Sequence, residues 1–366
     1  MKTNSLLVLL FLLLSAFCAS TPVMAQEWSS PELAQMYQQG MSSLASGSAA
    51  EACAIFQKML PLAPQNSALK KSLAQSYCVL GKDKNAIDLI HQLIDAQQAD
   101  VDCYKIAADA YHHVADDKKA QDMVAAGLSQ FPKSGLLFYE MGFLFKEQRK
   151  FDIALKYWLD GIQSDPNYHL NYYEAAIAYV QTNQVLWAIL YAEIFINKES
   201  NTPRAAEMRT LMLDAYHKFY FTPDFNDGKL PNKELSSFEA AVRATYLSLF
   251  FVVSDGINTE NLIMLRTRFN IYWLDHYAQQ FPYALFAYQD KMIQNGYFDA
   301  YNQWLFGATE NPQQYAAWAT EFATDLSNFE TFRSKNPLLL NASDAYNTQR
   351  NFKGLFTLPS NKAPKR

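Results

Sequence analysis

The stretch FYEMGFLFKEQRKFDIALKYWLDGIQSDP, residues 138–166, holds small residues and a proline that recur at a fixed interval along the chain. The residues that share the repeat position of Gly142 are also small, namely Gly40, Ala74, Ala108 and Ala176. A second column has the same interval and comprises Ala52, Ala86, Ala120, Ala154 and Ala188. Prolines fall on the same interval at Pro64, Pro132 and Pro166. A period of about 34 residues predicts stacked pairs of helices.

The small residues have a physical explanation in the crossing of two antiparallel helices. Helix axes that approach to about 8–10 Å leave room only for glycine or alanine at the contact, while larger residues beside it fill the grooves. Proline then ends the second helix, because it lacks the N–H that the next helical hydrogen bond requires. This pattern resembles the tetratricopeptide repeat (TPR) family over about half of the chain. The resemblance implies an all-α, TPR-type α-solenoid of about five helical hairpins.

The rest of the chain is also predicted to be helical, but without the period. Residues 26–222 form the predicted solenoid, which closes with a further helix over Pro203–Tyr220. A loop rich in proline, asparagine and glycine follows, and we place the domain boundary there. A C-terminal helical domain is predicted for 233–336 and a loosely ordered tail for 337–366. Apolar residues at steps of three and four predict its helices at Leu235–Val253, Thr259–Gln280, Tyr283–Asn295, Phe298–Phe306 and Pro312–Ser334.

The N-terminus has the features of a secretory signal peptide over residues 1–25. Lys2 precedes the apolar run Leu6–Leu14, and Val23–Ala25 is a small-x-small cleavage site. No later stretch reaches the roughly 20 apolar residues that a membrane span requires. We therefore expect a periplasmic or secreted protein, cleaved after Ala25 and without a membrane span. The net charge of -5 and the absence of a long basic run argue against nucleic-acid binding.

The sequence offers little that predicts catalysis. It lacks the GxSxG, HExxH, GxxxxGK[ST], GxGxxG and CxxC motifs. Its histidines are dispersed, and the adjacent pair His112–His113 points in two directions on a helix, so no metal site is predicted. Cys53, Cys78 and Cys103 are expected to be buried small hydrophobes, with one disulfide among them left open. The acids that lie among C-terminal aromatics are Asp255, Asp275, Glu310 and Glu321. We expect no enzyme and no cofactor.

The resemblance implies a binding role for the inner face of the first helices. The residues of this sequence at those positions are Lys71, Gln75, Lys105, Asp109, His112, Tyr139, Phe143, Lys146 and Tyr173. Cations and aromatics together suit an extended peptide segment or its carboxylate. For the three aromatics, an equally weighted alternative is that they fill the concave side or meet the C-terminal domain, whereas the lysines are harder to explain as packing residues.

The predicted function is that of a scaffold or adaptor of the bacterial cell envelope, holding a peptide segment or partner protein in the concave groove. The alternative is a hydrolase or glycan-binding module in the C-terminal helices, with the repeats recruiting substrate. Crowded aromatics at Tyr283, Phe286, Tyr288, Tyr297, Phe298, Tyr301 and Trp304 are expected to be core residues.

Overall fold

The structure of the chain is a computed structural model that describes residues 28–222 and 237–347. All regular secondary structure in these two ranges is helical, which confirms the predicted fold class. The predicted signal peptide 1–25, most of the predicted boundary loop and the tail beyond residue 347 lie outside the described residues. Within the described ranges, no helix is both long and apolar enough to cross a membrane.

The chain divides into two compact units, Met1–Gln98 and Ala99–Arg366. This division falls between the second and third predicted repeats, whereas the sequence analysis placed the domain boundary after residue 222. The physical reason is a shared core: buried residues from Ala154 to Ala345 form one continuous apolar cluster, so the C-terminal helices and the last repeats have a common interior. The described C-terminal helices therefore share their core with the last repeats, whereas an independent domain has a core of its own.

The first unit consists of two helical hairpins. Its helices are α1 (Pro31–Ala45), α2 (Ala49–Met59), α3 (Ser67–Val79) and α4 (Asp83–Asp95). The side chain of Ser30 accepts a hydrogen bond from the backbone N–H of Leu33, and Pro31 occupies the first turn, so α1 begins as the sequence predicts. Asn66 caps α3 in the same way. Each hairpin packs along its length, and α2 packs against α3.

The second unit begins with three hairpins and a seventh helix. These helices are α5 (Val101–His113), α6 (Asp117–Gln130), α7 (Gly135–Glu147), α8 (Phe151–Ser164), α9 (Leu170–Gln181), α10 (Val185–Lys198) and α11 (Pro203–Phe221). The first helices α3, α5 and α7 begin at equal intervals along the chain, at Ser67, Val101 and Gly135, which confirms the predicted period. Helix α11 packs on α10, as a capping helix should.

The helix contacts within the hairpins follow a size rule. The alanines of the second column, Ala52, Ala86, Ala120, Ala154 and Ala188, are all 0% exposed. Gly142 faces Trp158, and a Cβ at Gly142 would lie 2.6 Å from Trp158 Cδ1; Gly40 faces Phe56 in the same way. Where the partner column carries a smaller side chain, as at Ile90 or Val124, the first helix carries alanine instead of glycine. The paired positions therefore share one limited volume.

The C-terminal helices complete the second unit. They are α12 (Phe238–Ser248), α13 (Thr259–His276), α14 (Ala284–Gln294), α15 (Phe298–Asn302), α16 (Ala308–Glu310), α17 (Pro312–Glu321) and α18 (Ala323–Lys335), with a π-helical turn at Gln303–Gly307. The predicted helix Pro312–Ser334 is thus two helices, because the chain leaves helical geometry at Phe322. The predicted helix Leu235–Val253 likewise ends early, in a 3₁₀ turn at Phe250–Val252.

A buried ion pair ties α13 to the last hairpin. Arg266 donates to Glu193 of α10, and both side chains are 1% exposed. Glu193 Oε1 also accepts hydrogen bonds from Tyr301 Oη and Gln289 Nε2, each at 2.7 Å. A carboxylate buried this deeply requires such partners, since its desolvation costs several kcal/mol. The rings of Phe298 and Tyr301 lie over the Arg266 guanidinium, and as predicted the crowded C-terminal aromatics are core residues or pack against the core.

The expectation of a loosely ordered tail is wrong for residues 337–347. Leu338 and Leu340 are each 3% exposed, and their carbonyl oxygens accept hydrogen bonds from Lys198 and Asn167. The ring of Tyr346 stacks on Phe238 with centroids 4.2 Å apart. Burial of these apolar side chains and the pairing of the backbone hold this segment, although it has little regular secondary structure.

Candidate functional site on the first helices of the second unit

The predicted binding residues are distributed over both units. Lys71 and Gln75 lie on α3 of the first unit, where Lys71 is partly exposed and Gln75 is exposed. The residues in the second unit lie on three first helices, α5, α7 and α9, each of which packs against the next. They are all partly exposed and comprise Lys105, Asp109, His112, Tyr139, Phe143, Lys146 and Tyr173. We call this surface of α5, α7 and α9 the first-helix face.

Lys105 is engaged by two carboxylates of the protein itself. Its Nζ lies 2.6 Å from Asp109 Oδ2 on the same helix and 3.4 Å from Glu140 Oε1 on α7. Burial disfavours the ammonium, but the charges of Glu140 and Asp109 outweigh it and raise the pKa of Lys105. Burial raises the pKa of Glu140 to about 7, because Lys105 offsets the burial only in part and Asp109 adds a like charge.

Lys146 forms the same kind of bridge one repeat later. Its Nζ donates to both carboxylate oxygens of Glu174 on α9, at distances of 3.0 and 2.8 Å. The Glu174 side chain is 6% exposed, whereas that of Lys146 is 35% exposed. From the sequence, Lys105 and Lys146 are expected to contact an extended peptide segment or its carboxylate, because they are hard to explain as packing residues. Their ion pairs with neighbouring first helices do explain them, and these pairs neutralise much of their charge.

The aromatic residues of the face divide into two groups. Tyr139 and Tyr173 pack against the central core, and the hydroxyl of Tyr173 donates to Glu207 on α11 at 2.6 Å. Burial raises the pKa of Tyr139 to about 12. Phe143 instead meets the edge of the His112 ring, with centroids 5.9 Å apart. The packing alternative therefore applies to the two tyrosines, and Phe143 is the aromatic best placed to meet a ligand.

His112 is oriented by its own hairpin. Its Nδ1 lies 2.8 Å from Asp117 Oδ1 at the start of α6. This contact and the Phe143 ring fix the imidazole plane, because each restricts a different side of the ring. No group of three or more potential metal ligands occurs in residues 28–222 and 237–347. Asp117 and Phe143 therefore hold the His112 ring in one orientation on this face.

The first helices recur at one constant interval, and α5, α7 and α9 adjoin one another with a row of partly exposed side chains. A period of 34 residues with two helices in each unit is characteristic of TPR arrays. The chain folds as a TPR-type helical repeat array. Five hairpins of this type occur in the described residues, two in the first unit and three in the second. Repeat arrays of this kind are generally used as binding surfaces for other proteins.

Several solved structures of TPR proteins are similar to about half of this chain. TTC0263, a TPR protein of Thermus thermophilus, is 15% identical, with a TM-score of 0.42, over 50% of this chain and 98% of its own. PilF of Pseudomonas aeruginosa is 15% identical, with a TM-score of 0.43, over 59% of this chain and 90% of its own. YrrB, described as a TPR protein with an unusual peptide-binding site, is 15% identical over 47% of this chain and 89% of its own, with a TM-score of 0.33.

Comparison by sequence adds a partial match. The human protein O-mannosyl-transferase TMTC1 is 26% identical over 121 residues, which are 32% of this chain and 14% of the human protein. This chain therefore matches only a small part of that enzyme's length. No family model matches the sequence.

The C-terminal part of the second unit contacts the TPR hairpins through their second helices and connecting loops. Gln163 of α8 donates to Ala342 O, and Tyr191 of α10 donates to Tyr346 O. Asn167, in the loop before α9, bonds to Leu340. The residues of the first-helix face keep their partial exposure in the presence of these contacts. The hydrogen bonds from residues 338–346 to these hairpins thus involve second helices and a connecting loop.

Sequence reasoning missed the carboxylates of the first-helix face. Glu140 and Glu174 are 5% exposed each and lie one repeat apart, so they occupy one column of the array. A glutamate thus recurs in successive repeats at the position directly after the column that holds Lys105 and Tyr139. This recurrence was the signal in the sequence that could have identified the two carboxylates. Glu199 was missed as well. It accepts from Arg204 at 3.0 Å and from Thr202 at 2.6 Å, and lies 2.7 Å from His169, beside α11.

Proposed function

We propose that this protein is a non-enzymatic interaction scaffold that binds an extended peptide segment of a partner protein on its first-helix face. One observation carries the proposal: the side chains of this face lie partly exposed on three adjoining first helices, while residues 338–346 bond to the hairpins at second helices and a connecting loop. An open row of this kind runs across successive repeats. It therefore matches an extended ligand better than a compact one.

The chemistry of the face favours recognition of the backbone and apolar side chains of the segment. Lys105 and Lys146 are paired with carboxylates of the protein, so a partner's acidic group would have to compete with Glu140 and Glu174. The lysine N–H groups and the carboxylate oxygens of Asp109 can still meet peptide C=O and N–H groups. Phe143 offers an apolar contact. We therefore expect little preference for an acidic ligand.

We propose further that the protein is exported to the periplasm of a bacterial cell envelope or is secreted. The proposal rests on the sequence of residues 1–25, with its basic start, apolar run and small-residue cleavage site. Amino-terminal sequencing of the protein purified from its own cells tests it. A chain that begins at Gln26 supports export, and a chain that begins at Met1 overturns it.

Binding on the first-helix face is tested with a displayed library of random linear peptides selected against residues 26–366. Selected peptides should protect the amides of α5, α7 and α9 from hydrogen exchange. The variant Phe143→Ala should weaken their binding about tenfold, the effect of losing one well-placed apolar contact. The control is Phe151→Ala, because Phe151 is 51% exposed but begins the second helix α8. Peptides that bind both variants equally, or protect other helices, would refute the proposal.

A further inference from the structure

A second concave site lies in the C-terminal helices, away from the first-helix face. It is a pocket of about 360 Å³ between the start of α13, the π-helical turn at Gln303–Gly307 and helix α17. Sites for small molecules have volumes of about 300–1,000 Å³. The pocket is therefore large enough for a small ligand. The proposed scaffold function makes no use of it.

The π-helical turn builds one wall of this pocket. Gln303, only 6% exposed, donates from Nε2 to Glu260 Oε1 at 3.0 Å. Gly307 lies one turn further on, and a Cβ there would be 2.5 Å from Gln303 Oε1 and 2.7 Å from Tyr315 Cδ2. The absence of a side chain at Gly307 is thus what lets the amide and the ring approach. Turns of this type occur frequently at functional sites.

Aromatic rings form the opposite wall. Tyr315 and Trp318 line the pocket from α17 and stack with centroids 6.0 Å apart, and Trp318 stacks in turn on Phe322 at 5.8 Å. None of the ten residues of α17 is buried. Tyr315 and Trp318 are partly exposed, so each ring keeps some apolar surface open where it lines the pocket.

The polar lining is rich in carboxamides. Asn258, Asn261, Gln303, Asn311 and Gln314 all contribute to the pocket, and each carboxamide offers both donors and an acceptor. Asn258 and Asn311 use their Oδ1 atoms to cap helices α13 and α17, which fixes their orientation and leaves their NH₂ groups for a ligand. A ligand that matches this lining must itself carry many groups that both donate and accept.

The charge of the pocket narrows the class of ligand. Two carboxylates line it, Glu260 and Glu310, and among the residues that the structure describes no lysine, arginine or histidine does. Glu310 accepts hydrogen bonds from the backbone N–H and the hydroxyl of Thr259, which holds it at the start of α13. Two carboxylates in one pocket repel an anionic ligand.

We propose that this pocket binds a neutral carbohydrate. A sugar ring has an apolar face of C–H groups that can lie on Trp318 or Tyr315, and its hydroxyls both donate and accept, as the carboxamides and carboxylates require. Sugars that carry a carboxylate or sulfate are excluded by Glu260 and Glu310. An organic cation would use the rings and the carboxylates, but could not accept hydrogen bonds from the NH₂ groups of Asn258, Asn311 and Gln314.

The test uses residues 26–366 on an array of neutral and acidic glycans, followed by titration calorimetry with the best neutral glycan. Trp318→Ala should weaken binding by about tenfold or more, and Gln314→Ala by severalfold. Gln314 is exposed, so its variant keeps the test valid should Trp318→Ala disturb α17. The matched control is Gln313→Ala, on the same helix but outside the pocket, which should bind as the parent does.

A variant that removes one charge tests whether the pocket carboxylates determine the preference for neutral sugars. Glu260→Gln should bring the affinity for an acidic sugar closer to that for the matched neutral sugar, because one of the two repelling carboxylates is removed. The proposal is overturned by three results: no glycan bound by the parent chain, glycan binding unaffected by both pocket variants, or binding of the polyamine spermidine without binding of any glycan.

Discussion

Substitution of Gly142 by alanine tests the size rule for the helix contacts. The added Cβ would lie 2.6 Å from Trp158 Cδ1 and 2.7 Å from Cε2, well inside contact distance. Trp158 is 2% exposed and cannot move aside without disturbing the core. Overpacking of this kind costs about 1–3 kcal/mol, from which the better helix propensity of alanine recovers about 1 kcal/mol. We expect Gly142→Ala to lower the free energy of unfolding by up to about 2 kcal/mol.

The second arm of the test is Trp158→Ile. It removes a large buried ring and should cost about 2–4 kcal/mol, somewhat less than truncation to alanine. In the double variant, alanine enters the space that the ring has left, which reproduces the pair formed by Ala74 and Ile90 in the first unit. The double variant should therefore be more stable than the sum of the single effects predicts, by about 1–3 kcal/mol.

The assay is urea unfolding of the parent, the two single variants and the double variant, monitored by the helical circular dichroism signal. Repeat arrays do not always unfold in one step, so hydrogen exchange of the α7 and α8 amides is measured in parallel as a local reading. Strictly additive effects would show that the two positions do not share one volume, and the physical account of the repeat period would be wrong.

Three further predictions concern buried charges. Folding raises the pKa of Glu140 from 4.5 to about 7, so between these pH values the folded chain holds a proton that the unfolded chain has lost. The free energy of unfolding should therefore fall by up to about 3 kcal/mol as the pH rises from 4.5 to 7. Glu140→Gln should flatten this pH dependence in urea titrations. Lys146→Met should destabilise the fold by about 1–3 kcal/mol, because it leaves the Glu174 carboxylate unpaired. Adding Glu174→Gln to this variant should restore most of the lost stability in thermal unfolding. If it restores none, the ion pair is unimportant. Arg266→Met should cost about 3–5 kcal/mol, since it leaves Glu193 buried without a cation; an unchanged midpoint of urea unfolding would contradict this.

The sequence was sufficient to predict the hairpins because their contacts are local and leave a regular trace. The columns of Gly142 and Ala154 each report one close approach of two helices, and the same approach recurs in every hairpin. The C-terminal helices were placed within a few residues by their apolar spacing, but the break at Phe322 has no glycine or proline to mark it.

The binding face could be predicted only in outline. Its residues were identified by their repeat positions, yet the pairing of Lys146 with Glu174 depends on the approach of two successive first helices. Charge patterns along one helix cannot reveal such a pair. The packing of residues 337–347 was missed for a related reason, since its partners Asn167 and Lys198 are far away in sequence.

The C-terminal pocket was beyond sequence reasoning for a different reason. Glu310 was considered, but its companion Glu260 lies on a helix much earlier in the chain and no spacing relates the two. The two carboxylates meet because the start of α13 lies close in space to the end of the π-helical turn. Gly307, which has no side chain, also allows Gln303 and Tyr315 to lie close to the turn. These conditions depend on tertiary structure.

The central claim, that the first-helix face holds an extended segment of a partner, is tested most directly by crosslinking in living cells. A photoreactive phenylalanine analogue is placed at Phe143 in one strain and at Phe151 in another, both in the cells that make the protein. The account predicts that position 143 yields a crosslink to a defined linear segment of one partner protein and that position 151 does not. Equal crosslinking at the two positions, or none at position 143, would contradict it.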